Sequence, residues 1–317
     1  MAKAKSAAKA APAPKAGAPK AAVKKTAAKK TAASKVAPAP KKTVAKAAEN
    51  EELVFTRPAA LADRATHYCP GCHHGIAHRM VAELLDEMDL AGRTVAASAI
   101  GCSVFLYNYI KVDTVESPHG RAPAVATGIK RARGDKFVFT YQGDGDLASI
   151  GMAEIMHAAN RGERITVVFV NNTVYGMTGG QMAPTTLIGQ KTTTCPGGRC
   201  KDREGAPIRM AEIIAQLGGT AFCARGSLDS VKNIRQAKKY MRQAFEAQTK
   251  GLGFGFVELL SGCPTNWRLS PVAANKRITD EMIPYFPLGV YKELEGDATC
   301  GSLIAPGTAA GGAGEGK

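Results

Sequence analysis

Between Phe137 and Asn172 the chain spells out one supersecondary unit in full. Phe137-Val-Phe-Thr-Tyr141 is β-branched and aromatic, as strands are. Gly143-Asp144-Gly145-Asp146 follows, then a segment with Met152, Ile155, Met156 and Ala159 at i, i+3, i+4 and i+7, the apolar face of a helix. The run Ile165-Thr-Val-Val-Phe-Val170 and the pair Asn171-Asn172 close the unit. Strand, glycine turn, helix and strand make a βαβ crossover, which commits the chain to a parallel sheet. It also sets the glycine turn and the end of the second strand at one edge of that sheet, where open α/β folds bind ligands.

At that edge Asp144 offers a carboxylate and Asn172 an amide oxygen, the donors a hard cation takes. The glycines let backbone approach phosphate oxygens closely. Residues 146 to 170 separate Gly145 from Asn171, enough for one helix and one strand. A bare Gly-Asp-Gly can be a simple β-turn. Followed by a crossover and paired Asn, it resembles the thiamine diphosphate motif. The Gly- and Thr-rich stretch from Thr173 to Gln181 is too poor in bulky residues for a regular element. It suits a loop around a diphosphate and its metal, with main-chain oxygens as ligands. The loop continues through Thr192 to Cys200 and is long enough to be functional.

The remaining globular sequence repeats the α/β alternation. Cys69-Pro-Gly-Cys72-His73-His74-Gly75 precedes a helix with Ile76, Met80, Val81, Leu84, Leu85 and Met88 as its apolar stripe. The C-x-x-C turn alone fits iron or zinc. Its C-P-G-C-H string also matches c-type haem attachment with His73 as axial ligand, although no export signal is visible. Thr94 to Ile100 reads as a short buried strand ending on Gly101-Cys102-Ser103; a lone Cys there could equally be a buried apolar residue. His119-Gly120-Arg121 opens a helix from Ala122 to Arg131 with Pro123 in its first turn, a place suited to an anionic group. His119 and Arg121 are the catalytic candidates, with plain surface exposure the other reading of the Arg. Then come a helix at Ile208 to Leu217, a strand at Thr220 to Ala224, a helix at Leu228 to Gln248 ended by Gly251, and a strand at Phe254 to Leu260. That last strand runs into Gly262-Cys263-Pro264-Thr265-Asn266-Trp267. At least five strands alternating with helices predict a doubly wound, mostly parallel sheet.

The 317 residues carry a formal charge of +15, which by itself suggests a nucleic-acid binder. Residues 1 to 48, however, hold 13 Lys and no Asp, Glu or Arg, leaving a net charge of +2 for everything else. This Lys/Ala/Pro tail, residues 1–50, has too little apolar surface to fold and is expected to be disordered. Its attraction to nucleic acid is expected to be weak and salt-sensitive at most. Residues 51–295 form the α/β domain, and 296–317 a flexible Gly/Ala-rich C-terminal tail. No run of 18 apolar residues suggests a membrane span, and eight cysteines without a secretory signal fit a reducing cytoplasm.

C-P-G-C-H-H-G, I-G-C-S, H-G-R, G-D-G-D with V-N-N-T-V-Y-G-M-T-G-G-Q, and G-C-P-T-N-W occur in this order. From about residue 54 to 291 the chain resembles the thiamine-diphosphate-binding β subunit of 2-oxoacid:ferredoxin oxidoreductases. The resemblance implies the thiamine-diphosphate-binding fold and a [4Fe-4S] cluster on Cys69, Cys72, Cys102 and Cys263. It implies Mg2+ on Asp144, Asn172 and the Val174 carbonyl. Contacts to thiamine diphosphate fall on Ile100, Gly101, Cys102, Ser103, Gly145, Asp146, Gly176 and Met177. The implied activity is oxidative decarboxylation of a 2-oxoacid to acyl-CoA and CO2, with coenzyme A as acyl acceptor and electrons leaving through the cluster to ferredoxin. K-T-T-T-C-P-G-G-R and I-P-Y-F-P-L-G-V-Y are similar to members acting on branched-chain 2-oxoacids. Partners implied are an α subunit that brings the ring-protonating Glu, and further γ and ferredoxin-like δ subunits. A cluster-free thiamine diphosphate decarboxylase or synthase is the rival enzyme class. Cys195, Cys200, Cys223 and Cys300 receive no role.

Overall fold

The computed structural model describes residues 56–294. The tail over 1–50, the segment 296–317 and Cys300 lie outside the described residues. Strands β1 (Thr94–Ser98), β2 (Asp113–Glu116), β3 (Phe137–Gly143) and β4 (Thr166–Asn171) are followed by a small hairpin, β5 (Val174–Tyr175) and β6 (Gln181–Met182). Then come β7 (Thr220–Ser227), β8 (Phe254–Leu260) and β9 (Gly289–Glu293). The helices are α1 (His74–Glu87), α2 (Leu106–Tyr109), α3 (Ala122–Ala132), α4 (Met152–Asn160), α5 (Lys201–Glu204), α6 (Met210–Ala215), α7 (Val231–Thr249), α8 (Pro264–Trp267), α9 (Pro271–Arg277) and α10 (Ile283–Tyr285).

Seven strands form one sheet in the order β2-β1-β3-β4-β8-β7-β9, parallel throughout except that β9 runs antiparallel to β7. Strands β4, β7 and β8 are buried along their whole length, the signature of a parallel sheet covered on both faces. Side chains divide by the two-residue period of a strand. Phe137, Phe139 and Tyr141 of β3 pack with Met80, Val81, Leu84 and Leu85 of α1 and Met241 and Phe245 of α7. Val138 of the same strand faces the other layer, with Ala126 of α3, Ile155 and Ala159 of α4, and Ile214 of α6. The Phe245 ring sits 4.8 Å from that of Phe137, and truncating such a residue to Ala costs about 3–5 kcal/mol. Ser230 starts α7 by accepting a hydrogen bond from the Asn233 amide, and Gly251 at φ +73° ends the segment.

Three details differ from the sequence reading. The stretch from 173 to 181 is not irregular throughout: Val174–Tyr175 pairs with Gln181–Met182, and Gly179 and Gly180 supply the positive φ values of the turn. The strand expected at 220–224 continues to Ser227, because Arg225, fully buried, is neutralised inside the sheet rather than ending it. The two edge strands β2 and β9 are short and partly exposed, so neither shows a hydrophobic run.

The register fixes where the site lies. Ser98 pairs with Tyr141, Gly143 with Val170, and Asn171 with Leu260. The C-terminal ends of β1, β3, β4 and β8 therefore reach one edge side by side. The chain leaves β1 toward β2 on one side and returns to β3 on the other, a switch point at which doubly wound sheets open a crevice.

Candidate functional site

That crevice is a cavity lined by Ile100, Gly101, Cys102 and Ser103 after β1, by Gly143 to Asp146 after β3, and by Asn172, Val174, Gly176 and Met177 after β4. His119 and His74 complete the wall, with Tyr175 and Thr178.

Asp144 is buried at 2% exposure. Its Oδ1 accepts from the Gly145 amide at 2.9 Å and its Oδ2 from Thr185 Oγ1 at 2.7 Å. Burial still pushes its carboxyl up to about 7 against those hydrogen bonds. A buried carboxylate in that condition fits a cation, which would restore its charged form. Asn172 Oδ1 accepts from the Val174 amide at 3.2 Å, and the Asn172 carbonyl accepts from Trp267 Nε1 at 3.1 Å. Backbone access is real at two glycines. A side chain at Gly145 would run into the Tyr175 ring, and a Cβ on Gly176 would lie 3.5 Å from Cys102 Sγ, 3.6 Å from Cys263 Sγ and 3.8 Å from Asn172 Nδ2.

Gly176 is thus where the cation wall meets the thiols. Cys102 and Cys263 flank it directly. Cys69 and Cys72 come from the turn before α1, near enough to Cys102 and Cys263 to act on them electrostatically, and there the Cys72 amide donates to the Cys69 carbonyl at 3.0 Å. Burial, followed by the neighbouring Cys263, Cys102 and Cys69, pushes the Cys72 thiol up to about 12, and burial with Cys263 and Cys69 pushes Cys102 up to about 11. Burial also raises Cys263, while the Asn266 side chain, 3.2 Å from its sulfur, works the other way. Cys69 is exposed. Three thiols raised by burial and by their cysteine neighbours, Cys72, Cys102 and Cys263, suit a group that brings positive charge among them. Among the described residues no three His, Cys, Asp or Glu side chains are close enough to hold one metal ion; a cluster of several irons takes its ligands farther apart.

His73 is not free to ligate haem. The Gly262 amide donates to its Nδ1 at 3.1 Å and its Nε2 meets Asn275 Oδ1 at 2.9 Å. Its ring ties the Cys72 turn to the Cys263 loop instead.

The catalytic candidates part company. His119 lines the cavity, its Nδ1 2.6 Å from Asp146 Oδ1. Asp146, expected against the cofactor, is also occupied by the Gly120 amide at 2.8 Å and Gln142 Nε2 at 2.6 Å, so it clamps the His119 loop onto the crossover. Arg121 is absent from the cavity wall: half exposed, it pairs with Glu154 of α4. The sequence reading missed His74, which is 2% exposed, bonds Tyr141 Oη at 2.7 Å through Nδ1, and is pushed down to about 4 by burial and by His73. It also missed Thr185. The paired His in C-H-H-G was a visible signal for the first; nothing marked the second. Cys223 is a core residue whose Sγ donates to the Ala211 carbonyl, and Cys195 is buried in the loop after β6.

Residues 96–256 match the family "Thiamine pyrophosphate enzyme, C-terminal TPP binding domain". The chain is 50% identical over 252 residues to the ketoisovalerate oxidoreductase subunit VorA of Methanothermobacter marburgensis, covering 80% of this chain and 53% of that relative. It is 36% identical over 205 residues to the 2-oxoglutarate synthase subunit KorB of Methanocaldococcus jannaschii, covering 64% and 72%. The chain therefore spans about half the length of the VorA relative. In fold it is similar to a chain of the 2-oxoglutarate:ferredoxin oxidoreductase from Magnetococcus marinus, solved with 2-oxoglutarate, coenzyme A and succinyl-CoA bound. The TM-score is 0.63 at 24% identity, covering 80% of this chain and 91% of that one.

Proposed function

Since this chain belongs to the family of 2-oxoacid oxidoreductase subunits built on the thiamine pyrophosphate enzyme C-terminal domain, we propose that it is the cofactor-binding β subunit of a 2-oxoacid:ferredoxin oxidoreductase. The reaction is the oxidative decarboxylation of a 2-oxoacid to acyl-CoA and CO2. A branched-chain substrate is favoured by the name of the VorA relative and by the K-T-T-T-C-P-G-G-R loop. The observation that supports it most is the shared wall at Gly176: the buried Asp144–Asn172 edge and the thiols of Cys102 and Cys263 adjoin at one residue without a side chain.

Asp144, Asn172 and the Val174 carbonyl would hold Mg2+, with Gly145 and Gly176 giving the diphosphate room against the backbone. Ile100 to Ser103 and Met177 would line the ring end. Cys69, Cys72, Cys102 and Cys263 would hold a [4Fe-4S] cluster. When bound, thiamine diphosphate supplies the electron sink a 2-oxoacid needs to lose CO2, and the cluster supplies a one-electron acceptor leading to ferredoxin. The chain's own part is to bind, orient and exclude water. Asp146 keeps His119 at the wall, and Arg121 with Glu154 fixes the start of α3. Among the described residues no Glu lines the cavity, so the ring-protonating Glu would come from an α subunit closing over it. γ and δ subunits and coenzyme A complete the scheme. Among the described residues no helix is long and apolar enough to cross a membrane, and we place the enzyme in the cytoplasm.

The test is to produce the chain anaerobically with and without its partner, assay iron, sulfide and thiamine, and follow dye reduction with coenzyme A and 2-oxoisovalerate, 2-oxoglutarate or pyruvate. Turnover should need the partner and favour 2-oxoisovalerate. Iron-free protein with full thiamine-dependent decarboxylation would move it to the cluster-free class.

A further inference from the structure

Thr173 stands between two residues of the cation wall in a conformation its own chemistry disfavours. Its φ is +64°, the left-handed region that a β-branched residue rarely enters, and it is fully buried. That conformation turns the chain back on itself. The Thr173 amide donates to Asn171 Oδ1 and the Val174 amide to Asn172 Oδ1, each at 3.2 Å.

Something must hold Thr173 there, and the loop after β6 does so. Gln190 Nε2 donates to Thr173 Oγ1 at 3.0 Å and to its carbonyl at 3.4 Å; Thr186 Oγ1 donates to the same carbonyl at 2.5 Å. Gln190 is 5% exposed, and its Oε1 accepts from the Leu187 amide at 3.1 Å, which fixes which end of the amide faces Thr173. The same loop sends Thr185 to Asp144. Its own shape is kept by the buried Arg199, whose guanidinium donates to the carbonyls of Ala183, Pro184, Thr186, Glu204, Gly205 and Ala206. Gln190 itself does not line the cavity.

We infer that Gln190 is a positioning residue for the divalent cation of the diphosphate site, holding Thr173 in its left-handed conformation so that Asn172 and Val174 stay in the wall with Asp144. This rests on reading Asp144, Asn172 and Val174 as the residues that hold the cation. A glycine at 173 would adopt the same φ without help. The role of Gln190 is therefore tied to the identity of residue 173, which a general packing role is not.

The experiment titrates Mg2+ into the full-length chain at fixed thiamine diphosphate, by calorimetry and by the fluorescence of Trp267. This is the chain's single tryptophan, and it is hydrogen-bonded to the Asn172 carbonyl. Gln190→Met should raise the half-saturating Mg2+ concentration about tenfold, the usual cost of losing an outer support of a metal site. In a Thr173→Gly background the same change should cost less than about threefold, a non-additivity expected of coupled residues. If Gln190→Met alone does not fold, Gln190→Asn, whose amide falls one methylene short of Thr173, takes its place in both backgrounds and is read in the same way. Wild-type Mg2+ dependence in Gln190→Met, or an equal loss in both backgrounds, overturns the proposal. An Asp144→Ala arm separates the two layers: retained Mg2+-dependent binding there removes the cation reading and this proposal with it. Loss in Asp144→Ala beside normal binding in Gln190→Met removes the positioning role alone.

Discussion

Gly176→Ala adds one methyl group at the junction of the cation wall and the thiols, and the structure separates its effect on folding from its effect on binding. The new Cβ would stand 3.5 Å from Cys102 Sγ, 3.6 Å from Cys263 Sγ and 3.8 Å from Asn172 Nδ2, ordinary van der Waals distances. Gly176 is not among the glycines with positive φ, so alanine meets no backbone strain. Folding stability should therefore change by less than about 0.5 kcal/mol, as for a tolerated surface substitution. The methyl would nevertheless occupy space that the proposed diphosphate and cluster sites share. Overpacking of this size costs about 1–3 kcal/mol, which corresponds to roughly 5- to 150-fold weaker binding of thiamine diphosphate with Mg2+. Thermal unfolding, calorimetric titration and iron content of the anaerobically purified chain read the three quantities separately. An unchanged unfolding midpoint with wild-type affinity and full iron content would refute the idea that diphosphate and cluster meet at Gly176.

Other substitutions test other parts. Serine at Cys69, Cys72, Cys102 or Cys263 should each lower the iron content, whereas Cys195→Ser should not; the opposite pattern for Cys195 and Cys263 means the ligand set is wrong. Burial raises Asp144 from its unfolded range to about 7, so the cofactor-free fold loses stability as pH rises from about 4 through 7, where only the unfolded chain is fully ionised. Asp144→Asn should accordingly raise the cofactor-free unfolding midpoint at pH 8 by clearly more than at pH 5, and equal effects at both would reject that account. Glu258→Leu removes the carboxylate that meets Arg225 Nε at 2.9 Å and Asn171 Nδ2 at 2.8 Å, with both Arg225 and Glu258 fully buried. Arg225 keeps Glu212, 2.5 Å from its Nη2, so the loss is that of one buried hydrogen bond between charged groups, about 1.5–3 kcal/mol, or roughly 3–12 °C in a domain of this size. Arg225→Met/Glu258→Leu should recover most of it, and a single variant as stable as wild type would show the pair to be idle.

What could be read in advance was local. Gly143 to Asp146, the paired Asn, the C-x-x-C turn and the strand-end cysteines each sit in a short string with its own chemistry, and the parallel topology then carries their strands to one edge. Thr185, Thr186, Gln190 and Arg199 lie in a loop with no periodicity, and their partners, Asp144, Thr173 and a ring of carbonyls, are visible only once the chain is folded. Arg225 was hidden for a related reason: it looks like the end of a strand until Glu258, inside the strand read over 254–260, and Glu212 neutralise it. Arg121 shows the converse. The H-G-R string pointed to an anion at a helix start, but Glu154 on the adjacent helix takes its guanidinium. β2 and β9 escaped because an edge strand needs only one neighbour and can stay polar.

Cys69 and Cys72 lie near the start of the described chain, Cys102 just after the first strand, and Cys263 beyond β8, close to its end. The proposed ligand set, spread in this way, cannot exist on a half-made polypeptide. Until β8 has been synthesised and inserted between β4 and β7, the early thiols have no fourth companion. Closing so long a loop is the slow, entropically costly kind of contact that forms late in folding. If these cysteines hold a cluster as proposed, loading iron and sulfide has to wait until β8 has joined the sheet, and the order of assembly is written into the strand order.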